Sequence, residues 1–373
     1  MSIVLAISGL LHAYVYSRLV TWLQPSDALL LGLRIGVVVL VVSPLATRAL
    51  ERVIPALYRP AWWASAVWLG LVWYLLVFLL GGQVVESGAR LSQLWPAHDG
   101  LRLSVGLPTV AAVLVAVYGF VQARHMPPVT DVDVVIPNLP KEADGITLVQ
   151  ISDLHIGVLI DPQRTAAIVE QLNDLDADAI LITGDLVDER PERLEAFVPV
   201  LSRLRSRLGA FAITGNHEFY SGVHASLALM RRAGIRVLSN ECVELVPGLT
   251  LAGIHDPTSQ QFPDPALRAG PEDFSRILGG RARGTATVLM YHQPVLTEQF
   301  AALGVDLMLS GHTHGGQIWP FGYLSALRYP HVKGRYQVGD MTLYVNRGTG
   351  QWGPPMRVGA PLEISRFTLH RPA

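Results

Sequence analysis

Cysteine is nearly absent from this sequence, because Cys242 is the single one among 373 residues. A disulfide within the chain is therefore excluded, and so is a metal site built from several thiolates. Any metal held by this chain has to be bound through nitrogen and oxygen atoms, which twelve histidines and the acidic residues can supply. We interpret Cys242 itself as a small, partly buried side chain.

Charge is also scarce, but in one part of the chain alone. Residues 1–125 contain eight arginines and four acidic residues, whereas the remaining 248 residues contain 21 basic and 26 acidic residues. The hydrophobic fraction of 50% and the mean hydropathy of +0.34 are high for a soluble protein. We therefore predict a transmembrane helical region over residues 1–125 and a domain of soluble composition over residues 126–373.

Three apolar runs in the first region reach the length of about 20 residues that crosses a bilayer. They are Ala28–Leu45, Trp62–Leu80 and Val105–Val121. A fourth run, Ile3–Leu23, lacks the basic start and the small-residue cleavage site of a signal peptide, so we expect a retained helix there. The sequence thus predicts an all-α region of about four spans, integral to the cell inner or plasma membrane.

Basic residues near the predicted span ends indicate which side of the membrane the rest of the chain occupies. Arg48, Arg52 and Arg59 lie in one connection, and Arg124 follows the last span. With four spans these charges fall on one side, which places the amino terminus and the carboxy-terminal domain in the cytoplasm. With three spans the two ends of the chain would lie on opposite sides.

In the second region, five apolar runs rich in β-branched residues each end in side chains that can bind metals. Helix-like segments such as Pro162–Leu175 and Pro191–Leu208 alternate with them, which is typical of an α/β domain. The runs are ITLVQIS before Asp153 and His155, DAILIT before Asp185, GAFAIT before Asn216, His217 and Glu218, ATVLMY before His292, and VDLMLS before His312 and His314.

Ligands of open α/β sheets bind outside the carboxyl ends of the strands, so we expect these side chains to meet in one crevice. The spacing of His312 and His314 points both side chains to one side of an extended backbone, and Gly311 and Gly315 leave room beside them. Nitrogen and oxygen ligands of this kind suit Mn, Fe, Zn or Co. Two such ions can share a carboxylate and a water molecule. The hydroxide formed from this bridging water would attack phosphorus.

The order D-x-H, GD, GNHE, H and GHTH resembles the calcineurin-like metallophosphoesterase family. The stretches VQISDLHIG, GNHEFYSG, SGHTHGGQIWPFG and NRGTGQWGPPMRVGAPLEI resemble a narrower group, the bacterial membrane-associated phosphoesterases of the YkuE/YaeI type. The resemblance covers about residues 130–370. It implies an α/β fold of two packed mixed β-sheets flanked by helices, here preceded by the all-α transmembrane region.

The resemblance also implies a role for each matching position. One divalent ion would be held by Asp153, His155 and His314, and a second by Asn216, His292 and His312. Asp185 would bridge the two ions. His217 would be the catalytic residue that stabilises or protonates the leaving group.

Other residues near these motifs are weaker candidates. Tyr220, His255 and Arg357 are candidates for substrate binding, each with a structural role as the favoured alternative. Trp352 lies in a segment that we expect to form an ordered loop near the site. We interpret Glu218 and Asp188 mainly as loop or helix-capping residues, a role in which Asp and Glu are common.

The function that follows is a membrane-anchored dimetal phosphoesterase that hydrolyses phosphodiester or pyrophosphate bonds, with phosphodiesterase activity favoured. The expected substrate is an amphiphilic phosphate ester of lipid or cell-envelope metabolism. One alternative is a nucleotide or cyclic-nucleotide phosphodiesterase or a nuclease. A nucleic-acid partner is not favoured, because the second region has net charge −5 and no basic run with interleaved aromatics. Another alternative is a non-enzymatic, metal-dependent membrane sensor that uses the intramembrane Arg18 and Arg34.

Overall fold

The structure is a computed structural model that describes residues 2–92, 102–281 and 284–372. The chain forms two compact units. One consists of Met1–Arg124 together with Gly353–Val358, and the other of His125–Trp352 together with Gly359–Ala373. We call them the helical unit and the sheet unit.

In the part of the helical unit that the structure describes, there are four long helices and a π-helical turn at Arg102–Gly106. The helices are α1 (Ser2–Leu23), α2 (Asp27–Val53), α3 (Pro55–Leu91) and α4 (Leu107–Gln122). Among the described residues, three segments are long and apolar enough to cross a membrane, namely Asp27–Thr47, Pro55–Leu91 and Leu103–Gln122. They contain the three predicted spans, whereas the use of α1 as a fourth span stays a prediction.

Polar side chains of the helical unit pair with one another. The Arg18 guanidinium donates to the Glu86 carboxylate at 2.8 Å, and Arg34 donates to the Tyr16 hydroxyl at 3.3 Å. Pairing of this kind is what a low-dielectric surrounding requires of ionisable groups. Many apolar side chains of α2 and α4 are exposed instead, as expected of helices that face lipid.

The short segment Gly353–Val358 packs within the helical unit although it is distant in sequence. A Cβ atom on Gly70 would lie 2.5 Å from the Met356 sulfur, and the Arg357 backbone N–H donates to the Gly119 carbonyl at 2.9 Å. Small residues on α3 and α4 therefore create the space that this segment fills.

The sheet unit contains two six-stranded mixed sheets. The first sheet has the order β1-β12-β2-β3-β4-β5, and the second has the order β10-β11-β9-β8-β7-β6. The strands are β1 (Val129–Val135), β2 (Thr147–Ile151), β3 (Ala179–Ile182), β4 (Ala210–Ala212), β5 (Arg236–Val237), β6 (Glu241–Val246), β7 (Leu249–Gly253), β8 (Ala286–Met290), β9 (Leu307–Ser310), β10 (Gly334–Val338), β11 (Met341–Val345) and β12 (Ile364–His370).

Alternating strand residues face different layers of the sheet unit. On β3, Ile180 and Ile182 pack with the α-helices outside the first sheet, while Ala179 and Leu181 pack against the second sheet. On β8, Leu289 faces the outer helices of the second sheet. Strands that are apolar on both faces are thus buried on both faces, which confirms the predicted fold of two packed sheets flanked by helices.

The helices of the sheet unit are shorter than the sequence suggests. They are α5 (Pro162–Asn173), α6 (Val198–Leu201), α7 (Asn216–Ser221), α8 (Val223–Arg232), α9 (Pro271–Gly279), α10 (Thr297–Ala302) and α11 (Phe321–Ala326). The predicted helix over Pro191–Leu208 is wrong, because only a 3₁₀ segment at Pro191–Phe197 and one α-helical turn form there. Pro199 lacks the backbone N–H that a continuous helix would use.

Candidate metal centre

The five strands that precede the predicted ligands all form, and they belong to different sheets. Neighbouring parallel strands β2, β3 and β4 lie in the first sheet, and β8 and β9 lie in the second. Side chains that follow the strands of both sheets lie close together, so the carboxyl ends of the five strands meet at one edge of the packed sheets. The crevice expected from a single open sheet is therefore a cleft shared by two sheets.

One group of side chains comes from β2 and β9. The Nε2 atoms of His155 and His314 lie 3.1 Å apart, and His314 Nε2 is 3.4 Å from an oxygen of Asp153. All three residues are buried or nearly so, and their ligand atoms lie within 4.8 Å of one another. Two imidazole nitrogens and a carboxylate that point at the same small space could hold one divalent cation.

A second group lies beside the first and consists of Asp185, His292 and His312. The Thr183 carbonyl accepts a hydrogen bond from His292 Nδ1 at 2.7 Å, so a neutral His292 imidazole has its lone pair on Nε2. That atom faces the Oδ2 atom of Asp185 at 3.1 Å. Two acceptors at this distance require a cation or a proton between them.

Asp185 also connects the two groups. Its Oδ2 atom lies 3.1 Å from His292 Nε2 and 3.9 Å from His155 Nε2. Burial alone would raise the pKa of Asp185, but positive charge on His292 and His217 holds this pKa well below its usual value. Burial likewise opposes protonation of His292, whereas the charge of Asp185 raises the pKa of His292 well above 6.5.

The backbone and a buried amide also fit a metal centre. Asp153, His155, Asp185, His312 and His314 all have positive φ angles, between 51° and 69°. Such angles are unfavourable for these residues and are concentrated at functional sites. Among the described residues, the Oδ1 atom of Asn216 is buried without a hydrogen-bond partner, which leaves it available as a ligand.

Two glycines allow the ligand loops to approach each other. A Cβ atom on Gly311 would lie 1.9 Å from Ser152 Oγ, and one on Gly215 would lie 2.1 Å from Asp185 Oδ1. Both distances are far below van der Waals contact, so no other residue fits at either position. The expectation that glycine clears space beside His312 is therefore met by Gly311.

Comparisons with known proteins agree with this geometry. The family model of the calcineurin-like phosphoesterases matches residues 146–316. A transmembrane protein with a metallophosphoesterase domain from Danio rerio is 33% identical over 79% of this chain and 70% of its own length. The chain belongs to the calcineurin-like metallophosphoesterase family.

Several other relatives of this metallophosphoesterase are bacterial. An uncharacterized metallophosphoesterase of Helicobacter pylori strain J99 is 35% identical over 67% of this chain, which spans 66% of that relative's length. The metallophosphoesterase YkuE of Bacillus subtilis is 30% identical over 69% of this chain and 92% of its own length. Among solved structures, a dimetal phosphatase from Danio rerio aligns with a TM-score of 0.39 at 12% identity, covering 61% of this chain and 93% of that one.

Membership of the family supports a metal-dependent phosphoester hydrolase with a dinuclear centre of divalent metals. The three apolar helices and the transmembrane relatives indicate association with a membrane. Six of the seven predicted ligands fit such a centre by their donor atoms, burial and mutual distances, and the seventh, Asn216, fits it by its buried amide oxygen. Their individual assignment stays a prediction.

His217 lies in the first turn of α7, beside the two groups. Its Nδ1 atom lies 2.8 Å from an oxygen of Asp188, and its backbone N–H donates to Asp185 at 2.8 Å. Burial opposes protonation of His217, but the charges of Asp185 and Asp188 outweigh it and raise the pKa of His217 to about 9. Bound cations would offset the charge of Asp185 and lower that pKa.

Glu218 has a structural role in the same loop. It is fully buried and accepts hydrogen bonds from the backbone N–H groups of Asp185, Val187 and Gly215, at 2.6 to 3.0 Å. Three such bonds fix the loop after β3 to the start of α7. The capping interpretation of Glu218 agrees with these contacts.

Two aromatic side chains flank His217 and are open to solvent. The rings of Tyr220 and Trp352 lie 5.5 Å and 5.4 Å from the His217 ring, both edge to face. Tyr220 is 68% exposed and Trp352 is 51% exposed. The two rings form an apolar rim around His217, which is a suitable surface for the non-reacting part of a substrate.

The other two predicted substrate contacts are buried side chains. His255 is fully buried, with its Nδ1 atom 2.9 Å from the Thr214 hydroxyl and its ring packed near Phe219. Burial lowers the pKa of His255 to about 4, so this side chain is neutral. Arg357 is buried and belongs to the helical unit. Substrate binding by either residue stays a prediction.

The sequence analysis missed one residue at the site, Tyr329, and assigned another, Asp188, only a loop or capping role. Tyr329 lies 15 residues after His314, and its hydroxyl is 2.7 Å from His312 Nε2 while it donates to Gln293 Oε1 at 3.2 Å. The hydroxyl therefore accepts from His312 Nε2, which leaves Nδ1 of His312 for a metal. Asp188 orients His217. A tyrosine or aspartate in a loop carries no sequence pattern that predicts such a contact.

Proposed function

We propose that this chain is a membrane-anchored phosphoesterase that uses two divalent metal ions to hydrolyse a phosphodiester or pyrophosphate bond. Residues 1–125 would be the membrane anchor and residues 126–373 the catalytic domain. The observation that carries the proposal is the Asp185 carboxylate, one oxygen of which faces His155 at 3.9 Å and His292 at 3.1 Å. A carboxylate so placed is suited to bridge two cations.

The assignment of ligands follows the two groups of side chains. Asp153, His155 and His314 would hold one ion, Asn216, His292 and His312 the other, and Asp185 both. When bound, the two ions supply positive charge that stabilises the phosphoryl oxygens and lowers the pKa of water. Mn, Fe, Zn and Co all accept these nitrogen and oxygen ligands.

His217 would supply the proton that the leaving group needs. Asp188 holds the Nδ1 side of the ring at 2.8 Å, so that the opposite nitrogen can carry the transferable proton. The contact with Asp188 raises the pKa of His217 independently of Asp185, and so favours a protonated ring when cations offset the charge of Asp185. His217 would therefore act as the general acid.

A lipid or cell-envelope phosphate ester is the proposed substrate. A domain tethered to a bilayer meets lipid headgroups at a high effective concentration without any added affinity. The exposed rings of Tyr220 and Trp352 give an apolar surface beside His217 for part of an amphiphile. The arginines near the span ends support a cytoplasmic position of the catalytic domain.

The test uses detergent-purified full-length protein that is stripped of metal and reloaded with Mn²⁺. Hydrolysis of bis-p-nitrophenyl phosphate and of p-nitrophenyl phosphate is measured together with the bound metal per chain. We expect diester cleavage and two ions in the wild type. Asp185→Asn should lose cleavage by at least about 1,000-fold and retain fewer ions.

Asp133→Asn is the matched control, because Asp133 is exposed on the edge strand β1 and is paired with His370 at 3.0 Å. This variant should keep the metal content and the rate of the wild type. Two bound ions with no cleavage of either ester would contradict the enzyme and favour the sensor. Loss of metal in both variants would show that the effect is not specific to Asp185.

A nucleotide phosphoester is the second candidate substrate, and the same two rings favour it. A nucleobase could stack on Trp352 or Tyr220, since both rings are exposed beside His217. Rates for a cyclic nucleotide and for a short-chain lipid phosphodiester would separate the candidates. If Trp352→Leu reduces nucleotide cleavage about tenfold and leaves the lipid ester unaffected, the nucleotide becomes the preferred substrate.

A further inference from the structure

Residues 319–328 carry an exposed apolar surface that the proposed chemistry does not use. The helix α11 lies within them and has no buried residue. Tyr323 is 73% exposed, Leu324 is 50% exposed and Leu327 is 86% exposed. Large apolar side chains that are exposed together on one short segment mark an interaction surface. Trp319 and Phe321 of the same segment are also exposed.

The charged residues in the stretch of sequence that contains this surface have one sign. No aspartate or glutamate occurs between Gly311 and Gly339, whereas Arg328, Lys333 and Arg335 do. Arg328 is exposed and lies over the ring of Tyr329, 5.3 Å from its centre. Exposed aromatic and aliphatic side chains with basic residues beside them are typical of protein surfaces that bind anionic lipid headgroups.

We propose that residues 319–328 insert their apolar side chains into the headgroup boundary of the bilayer that the helical unit spans. Six helical residues are too few to bind a membrane on their own. Here they need no affinity of their own, because the candidate spans in the same chain keep the sheet unit beside a bilayer. Leu327 and Tyr323 would enter the acyl boundary, and Arg328 would meet lipid phosphates.

The segment is fixed to the metal centre at both ends. It begins five residues after His314, and Tyr329 directly follows it with its hydroxyl 2.7 Å from His312 Nε2. Gly316 and Gly322 are in such close contact that a Cβ atom on Gly316 would lie 2.3 Å from the Gly322 Cα atom. Insertion would therefore hold the centre at headgroup depth, a consequence that rests on the proposed function.

The experiment measures membrane depth and requires no turnover. Full-length protein with Cys242→Ala receives Leu327→Cys, is labelled with a nitroxide and is reconstituted in nanodiscs that contain anionic lipid. Collision rates of the label with oxygen, which concentrates in lipid, and with a water-soluble nickel chelate are then compared. Val135→Cys is the matched control, because Val135 is an apolar residue of β1 that is 54% exposed.

We expect the oxygen-to-nickel ratio at position 327 to exceed that at position 135 by about tenfold, since a membrane label is shielded from the aqueous reagent. Arg328→Glu should reduce the ratio at 327 in anionic nanodiscs and leave it unchanged in zwitterionic ones. Equal ratios at the two positions would overturn the proposal. Shielding of position 327 from both reagents would also overturn it, because a second protein molecule would then cover the segment.

Failure of the proposed function would be distinguishable from failure of this inference. A protein that cleaves no ester and binds no metal could still place position 327 in lipid. Conversely, an active enzyme with position 327 in water would keep its function and lose the inserted segment.

Discussion

The buried carboxylates of the metal centre and the buried Glu86 of the helical unit have opposite surroundings. In the helical unit, Glu86 accepts from the guanidinium groups of Arg18 at 2.8 Å and Arg90 at 2.6 Å. In the sheet unit, Asp153 and Asp185 are buried, and among the described residues their charges are paired with imidazoles alone. A carboxylate with fixed cations stabilises a fold, whereas one without them is available for an exchangeable cation.

The comparison predicts that similar substitutions will have opposite effects in the two units. Neutralising a carboxylate of the metal centre should remove activity and spare the metal-free fold. Neutralising Glu86 should destabilise the protein. The expected effects, from the largest to the smallest, test this contrast.

Asp153→Asn should lower diester hydrolysis by about 1,000-fold without destabilising the metal-free protein. Burial raises the pKa of Asp153, so the ionised form opposes folding at any pH above the pKa of the unfolded chain. The amide removes that penalty at pH 7.5. In EDTA, the unfolding temperature of the variant should equal or exceed that of the wild type. A decrease of several degrees would contradict the contrast between the carboxylates of the metal centre and Glu86.

Glu86→Gln should lower the free energy of unfolding by about 2 kcal/mol, because it leaves the partly buried Arg18 guanidinium without its counter-charge. Thermal unfolding in detergent micelles measures the change. The double variant Arg18→Met with Glu86→Gln should recover most of the loss, since both charges are then gone. An equally unstable double variant would mean that packing, and not charge pairing, is responsible.

His217→Asn should lower kcat by about 100-fold while the metal content stays that of the wild type.

Asp188→Asn should lower kcat less than His217→Asn does, and it should change the pH dependence of kcat. Asp188 raises the pKa of His217, so its removal lowers that pKa, and the protonated form is lost at a lower pH. The alkaline limb of the kcat profile should therefore move to lower pH, and an unshifted limb would exclude His217 as the acid.

Glu363→Gln should have the smallest effect, a loss of about 1–2 kcal/mol of stability. Burial opposes ionisation of Glu363, but hydrogen bonds from Arg347 and Tyr344 lower its pKa below 4.5. This stabilisation is fully present above pH 4.5 and is lost as the pH falls through the lowered pKa. The difference between wild type and variant, measured by unfolding at pH 7 and pH 3.5, should shrink on acidification.

Local sequence predicted much of the sheet unit. The apolar, β-branched runs before Asp153, Asp185 and His292 became β2, β3 and β8, because strands buried on both faces need no polar alternation. The segment after Pro162 became α5, which Asp161 caps. The segment after Pro191 did not form the expected helix, since a proline at position 199 outweighs the apolar spacing around it.

Residue types and their order along the chain determined the two kinds of domain, the five ligand-bearing strand ends and the family that they indicate. Tertiary structure alone decided that β2 to β4 and β8 to β9 lie in different sheets, and that His155 and His314, 159 residues apart, lie 3.1 Å from each other. It also brought Tyr329 to His312, Asp188 to His217 and Arg357 into the helical unit. The physical reason is that hydrophobic periodicity is a local property, whereas side-chain partners are set by how whole layers pack.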